Sequence, residues 1–190
     1  MEHRVRGRVV IAAALLPFLA ACSSVPRLYG EDVSLHTEFL GGYQTLDHEA
    51  FEEHAVAGLD FVTRDARHGF GYELGGSYGT EEENDASGRS AEFSEFYLGL
   101  RRTWYAGNGS MRPYLGAGGT WLLVENDFDS PPDTLDEKGF GGYVHTGILW
   151  SLGDWEVERS TEVVVGIDVR GVLGDDVDYG QVALVIGFGE

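Results

Sequence analysis

Seven ionisable residues of this 190-residue chain fall at alternate positions within apolar runs: Glu38, Asp60, Glu73, Arg101, His145, Asp168 and Arg170. An isolated charge taken out of water is very costly, so the simplest chemistry for such a set is mutual. Arg101 and Arg170 would pair with Glu38, Asp60, Glu73 and Asp168 and form an interior polar plug. A proton relay or a gated conduction path is the functional alternative for the same residues. A second set is acidic and lies between the apolar runs. It includes Glu81-Glu82-Glu83, Asn126-Asp127-Phe128-Asp129 and Asp175-Asp176-Val177-Asp178. Several oxygen ligands suit divalent cations, yet neither Asp-rich cluster fits the twelve-residue calcium loop. A solvated, repulsive rim is the simpler reading. No glycine loop cradles a phosphate, because the glycines fall inside strands and not between a strand and a helix. These patterns assign no catalytic residue, no cofactor and no resident metal.

The elements that must position these residues are strands. Residues 112–124 read RPYLGAGGTWLLV. One face carries Pro113, Leu115, Ala117, Gly119, Trp121 and Leu123. The other carries Tyr114, Gly116, Gly118, Thr120 and Leu122. Glycine and proline at this density exclude a helix, whereas a period of two with one small face suits a barrel strand. Seven more stretches alternate in the same way, at 33–42, 55–63, 69–78, 92–105, 140–152, 161–171 and 179–188. Each is long enough to cross a bilayer when tilted. The first, third, fifth and seventh connections (43–54, 79–91, 125–139 and 172–178) are acidic, and the first three of them are long. The connections between them are shorter. That alternation predicts an all-β, eight-stranded antiparallel up-and-down transmembrane β-barrel with both termini on the short-loop side. Aromatic belts are expected at Trp104, Trp150 and Phe188 on one rim and at Tyr43, Tyr78 and Trp121 on the other.

Charge narrows the partners. The formal net charge is −19, from 32 acidic against 13 basic residues. Such a surface excludes nucleic acid, which needs a basic footprint. A soluble barrel of lipocalin type would turn its apolar set inward and its polar set outward. Here the second set holds Gly, Asp, Glu, Arg and His, which favours the membrane arrangement.

Residues 1–21 read as an address. Arg4, Arg6 and Arg8 precede the apolar run 9–21, which is too short to span a bilayer as a helix. Leu19-Ala20-Ala21-Cys22 resembles the lipobox of bacterial lipoproteins. That resemblance implies lipidation at Cys22 and, with Ser23 following, export to the outer membrane. The expected organisation is a signal peptide at 1–21, a tether at 22–32 and a barrel at 33–190.

The segments FYLGLRRTW (Phe96–Trp104), RPYLGAGGTW (Arg112–Trp121) and VALVIGFG (Val182–Gly189) resemble small bacterial outer-membrane β-barrels of the OmpA/OmpX-like kind. The resemblance covers the chain from about residue 33 onward. It implies outer-membrane lipids and the barrel assembly machinery as partners. Barrels of that group usually end on an aromatic residue, whereas here Gly189 and Glu190 follow Phe188. Lipid A-modifying barrels of the deacylase type use a His-x-Ser pair, and this chain has His145-Thr146-Gly147, with no serine. The reading is therefore a non-enzymatic outer-membrane barrel, with an envelope-structural or surface-interaction role through its acidic loops. Divalent cations and surface partners are the loop ligands to test. A lipid-modifying enzyme and a lipid-anchored soluble carrier are the alternatives.

Overall fold

The computed structural model describes residues 33–48, 51–65, 68–82, 90–106, 110–127, 137–157, 159–175 and 178–189. The signal peptide, the tether and Cys22 lie outside the described residues. Eight strands follow in order: β1 (Val33–His48), β2 (Phe51–Asp65), β3 (Phe70–Glu82), β4 (Ser90–Thr103), β5 (Met111–Asp127), β6 (Glu137–Val157), β7 (Arg159–Gly174) and β8 (Tyr179–Gly189). Each neighbours the next, and the sheet closes on itself. The seam joins β1 to β8 antiparallel, from His36 opposite Gly189 to Leu46 opposite Tyr179. Closure leaves no unpaired strand edge, as a β-structure in lipid requires.

The alternation sorts the side chains as a period of two demands. Phe39, Leu74, Leu98, Leu100, Leu115, Val144, Ile148, Ile167, Val169, Val182, Leu184 and Ile186 all stand exposed on the exterior. Tyr43, Phe96, Trp121 and Phe140 mark this band toward the mouth where β1 ends. Trp121 and Phe140 are stacked at a centroid distance of 6.2 Å. Phe70, Trp104, Trp150 and Phe188 mark the opposite mouth, where β1 begins. The inner surface carries two buried apolar clusters. One holds Phe93, Tyr97, Leu122, Val124, Tyr143, Val172 and Tyr179. The other holds Leu40, Tyr114, Leu149, Val164, Ala183 and Val185.

The strands run further than the sequence pattern suggests. β1 continues to His48 and β2 starts at Phe51, so most of the first expected loop, 43–54, is strand. β6 spans 21 residues, to Val157, where the alternation predicts an end near 152. The reason is physical. Alternation marks only the stretch where one face must be apolar. The backbone ladder that continues the strand needs no particular side chain. β6 meets β7 through a register shift between Ser151 and Asp154. Gly153 there takes a φ of 105°, which a residue with a side chain rarely adopts.

Candidate functional site: the charged interior

All seven sequence-predicted interior residues point into the barrel, and each is at most 2% exposed. They do not form a single ion-pair cluster. They fall into two groups, which share tyrosines.

The first group is built from β1, β3, β4, β5, β6 and β7. Arg101 Nη1 donates to Glu38 Oε2 at 2.7 Å. The Cζ of the same guanidinium lies over Tyr114, 3.5 Å from the ring centroid, where the ring face adds cation–π attraction. Tyr114 Oη donates to Asp168 Oδ2 at 2.7 Å. His145 stands between two carboxylates, with Nδ1 2.8 Å from Asp168 Oδ2 and Nε2 3.0 Å from Glu73 Oε2. A ring protonated on both nitrogens donates to both oxygens. Tyr143 Oη also donates to Glu73.

The second group centres on Arg170. Its Nη1 is 3.5 Å from Glu95 Oε2, and its Nη2 is 3.8 Å from Asp60 Oδ2. The guanidinium lies 3.8 Å from the Tyr97 centroid and 5.2 Å from that of Tyr143. Tyr97 Oη donates to Asp60. Ser77 and Thr120 donate to the two oxygens of Glu95, at 3.0 Å and 2.7 Å. The two groups meet through Tyr143, whose ring packs edge-on against both Tyr97 and His145.

The glycine-rich inner face leaves room for these side chains. A Cβ on Gly116 would sit 2.1 Å from His145 Nε2, and one on Gly147 would sit 2.4 Å from Tyr114 Oη. Glycine at these positions allows a ring to lie against the opposite backbone.

Sequence reasoning missed Glu95, Arg64 and Gln44, and it placed Tyr97, Tyr114 and Tyr143 on the inward face without assigning them as hydroxyl partners. Glu95 was legible, since it sits one alternation step before Tyr97 on the inward face of β4. Arg64 falls in a stretch read as a turn, but β2 extends past it.

Both ring nitrogens of His145 are taken by carboxylates, so this histidine has none left to activate a hydroxyl nucleophile. Beside its two apolar clusters the inner face carries charges and hydrogen-bonded polar groups. Among the described residues no group of three or more His, Cys, Asp or Glu could hold a metal ion. Of the acidic clusters, Asp178 accepts the Gly174 amide through Oδ1 at 3.0 Å and so closes the β7–β8 turn. Asp129 and Asp176 lie outside the described residues.

A closed eight-stranded antiparallel barrel with an apolar exterior and a charged interior is the fold of small outer-membrane barrels, and solved structures match it. Ail, the attachment invasion locus protein of Yersinia pestis, aligns with a TM-score of 0.61 at 10% identity, over 84% of this chain and 99% of that one. Neisserial surface protein A aligns at 0.54 and 11% identity, over 83% and 96%. The N-terminal β-barrel domain of Pseudomonas aeruginosa OprF aligns at 0.50 and 17% identity, over 83% and 97%. No protein-family model matches the sequence, and no curated protein does. At these identities the likeness is one of fold.

Proposed function

We propose that this chain is a non-enzymatic protein of the bacterial outer membrane, held there by its barrel and by an acyl group on Cys22. Its role is envelope-structural, or surface interaction through the acidic loops. One observation carries this reading. Apolar side chains cover the outside of the barrel, and buried ion pairs share the inside with two apolar clusters, which is not the arrangement of a water-soluble protein. The paired interior acts as a plug, so the barrel does not conduct freely. Partners follow from this placement: outer-membrane lipids along the band, the barrel assembly machinery during insertion, and divalent cations or a surface partner at the acidic rim.

The test is electrophoresis of outer-membrane fractions in detergent, boiled and unboiled. A faster band without boiling is expected, because a closed barrel resists the detergent until heated. A single unshifted band, with the protein released from membranes once the acyl chain is removed, would overturn the membrane-spanning reading. Mass analysis of the mature N-terminus, compared with Cys22→Ser, tests the lipid separately.

A further inference from the structure

The mouth at which β1 begins holds a buried guanidinium that has no counter-ion among the described residues. Arg64, on the last turn of the inward alternation of β2, is 2% exposed. Its Nε and Nη2 have no hydrogen-bond partner. No carboxylate among the described residues lies within salt-bridge distance of it. Charged groups from several strands surround it. Arg101 from β4, Arg112 from β5 and Glu38 from β1 act on Arg64, as does Tyr105 from the β4–β5 connection. His36 from β1 stands in the same field, together with Glu162 from β7.

The two carboxylates in this set are already engaged. Glu38 binds Arg101 at 2.7 Å. Arg112 grips both oxygens of Glu162 in a two-pronged pair, and Ser151 donates to the same carboxylate at 2.9 Å. Arg101 and Arg112 thus each have an ion pair, and among the described residues Arg64 has none. Its Cζ lies 6.0 Å from the Tyr105 centroid, and the Arg112 Cζ lies 5.3 Å from the same ring. The two cations thus flank one half-exposed tyrosine at the rim. His36 adds an imidazole nitrogen, Nδ1, that is buried and has no partner. A buried charge without a counter-charge is strongly destabilising. A buried guanidinium left without an ion pair calls for an anion.

We propose that this mouth binds a small oxyanion of the phosphate type, held by Arg64 with His36 and reached past Tyr105 and the Arg112–Glu162 pair. A guanidinium with two vacant donors matches an oxyanion in charge and in geometry. The source is either free phosphate or the phosphate of a lipid headgroup at the membrane surface. The position of this mouth on the periplasmic side rests on the outer-membrane reading above, but binding in detergent does not.

The experiment uses the folded barrel in a maltoside detergent, which carries no phosphate. Folding of every sample is first checked by the unboiled-band shift. Inorganic phosphate is titrated calorimetrically at constant ionic strength, with and without added phosphatidylglycerol. Saturable one-site binding of phosphate is expected. Arg64→Gln should weaken it roughly ten- to a hundredfold, the worth of one or two charge-assisted hydrogen bonds. Arg64→Lys, which keeps the charge, should fall between, and it carries the test if Arg64→Gln does not fold. Arg102→Gln should leave binding unchanged, since Arg102 points outward over Phe70 and Trp104. Saturation by phosphatidylglycerol alone, lost in the Arg64 variants, would identify the headgroup as the source. Absence of saturable binding in both arms, or binding undiminished in the Arg64 variants, would overturn the proposal.

Discussion

At the residue scale the interior is governed by desolvation. Arg101 and Glu38 are each 1% exposed along their side chains and 2.7 Å apart. Attraction between them offsets the cost of taking both from water only while both are present. Removing one is therefore worse than removing the pair. Arg101→Met alone should destabilise the barrel by about 3–5 kcal/mol. Combining it with Glu38→Met should cost less than Arg101→Met by itself. Urea unfolding in detergent, followed by tryptophan fluorescence, measures both. A double variant less stable than the single would mean that the pair is not isolated from Asp168 and Tyr114. The tyrosines matter at this scale for the same reason. Each carboxylate that holds His145 also accepts a tyrosine hydroxyl, so no single contact carries the whole compensation.

At the element scale each strand has two faces with different tolerance for size. The inner face of β5 is closed over by side chains from its neighbours. Gly116 sits under His145, and an added Cβ would meet the ring at 2.1 Å. Gly171 on β7 points outward with nothing within 4 Å of the place its Cβ would take. Both glycines lie in strands, and sequence composition does not separate them. Gly116→Leu should destabilise by about 1–3 kcal/mol or more, because an overfilled interior forces neighbours off their rotamers. Gly171→Leu should be nearly neutral in a membrane-mimetic detergent. The unboiled-band shift and the unfolding midpoint of each variant check this contrast. The element scale is also where the sequence reading fell short. At 43–48 and 153–157 both faces are polar or mixed, so the period-two signal fades while the hydrogen-bonded ladder goes on.

At the scale of the whole molecule the barrel separates two solvents. Its outside is apolar across eight strands, and its inside compensates charge with charge. Leu184 tests this directly, because it is 67% exposed in the middle of β8. Leu184→Arg should cost about 2–4 kcal/mol in phospholipid vesicles if the residue lies near the bilayer midplane. The same change on a water-facing surface would fall within about 0.5 kcal/mol. Urea refolding into vesicles, compared with the parent barrel, decides between them.

Sequence alone determined the eight strands, their antiparallel order and the face on which Glu38, Asp60, Glu73, Arg101, His145, Asp168 and Arg170 lie. That information is local: a period of two assigns each residue to a side without reference to any other strand. Partner choice was not local. Arg101 finds Glu38 across 63 residues of sequence, and His145 finds Glu73 across 72. Which inward side chains meet depends on the registers and tilt of a closed sheet, and those are set only when β1 joins β8. The same closure left Arg64, among the described residues, without the carboxylate that Arg101 and Arg112 each obtain.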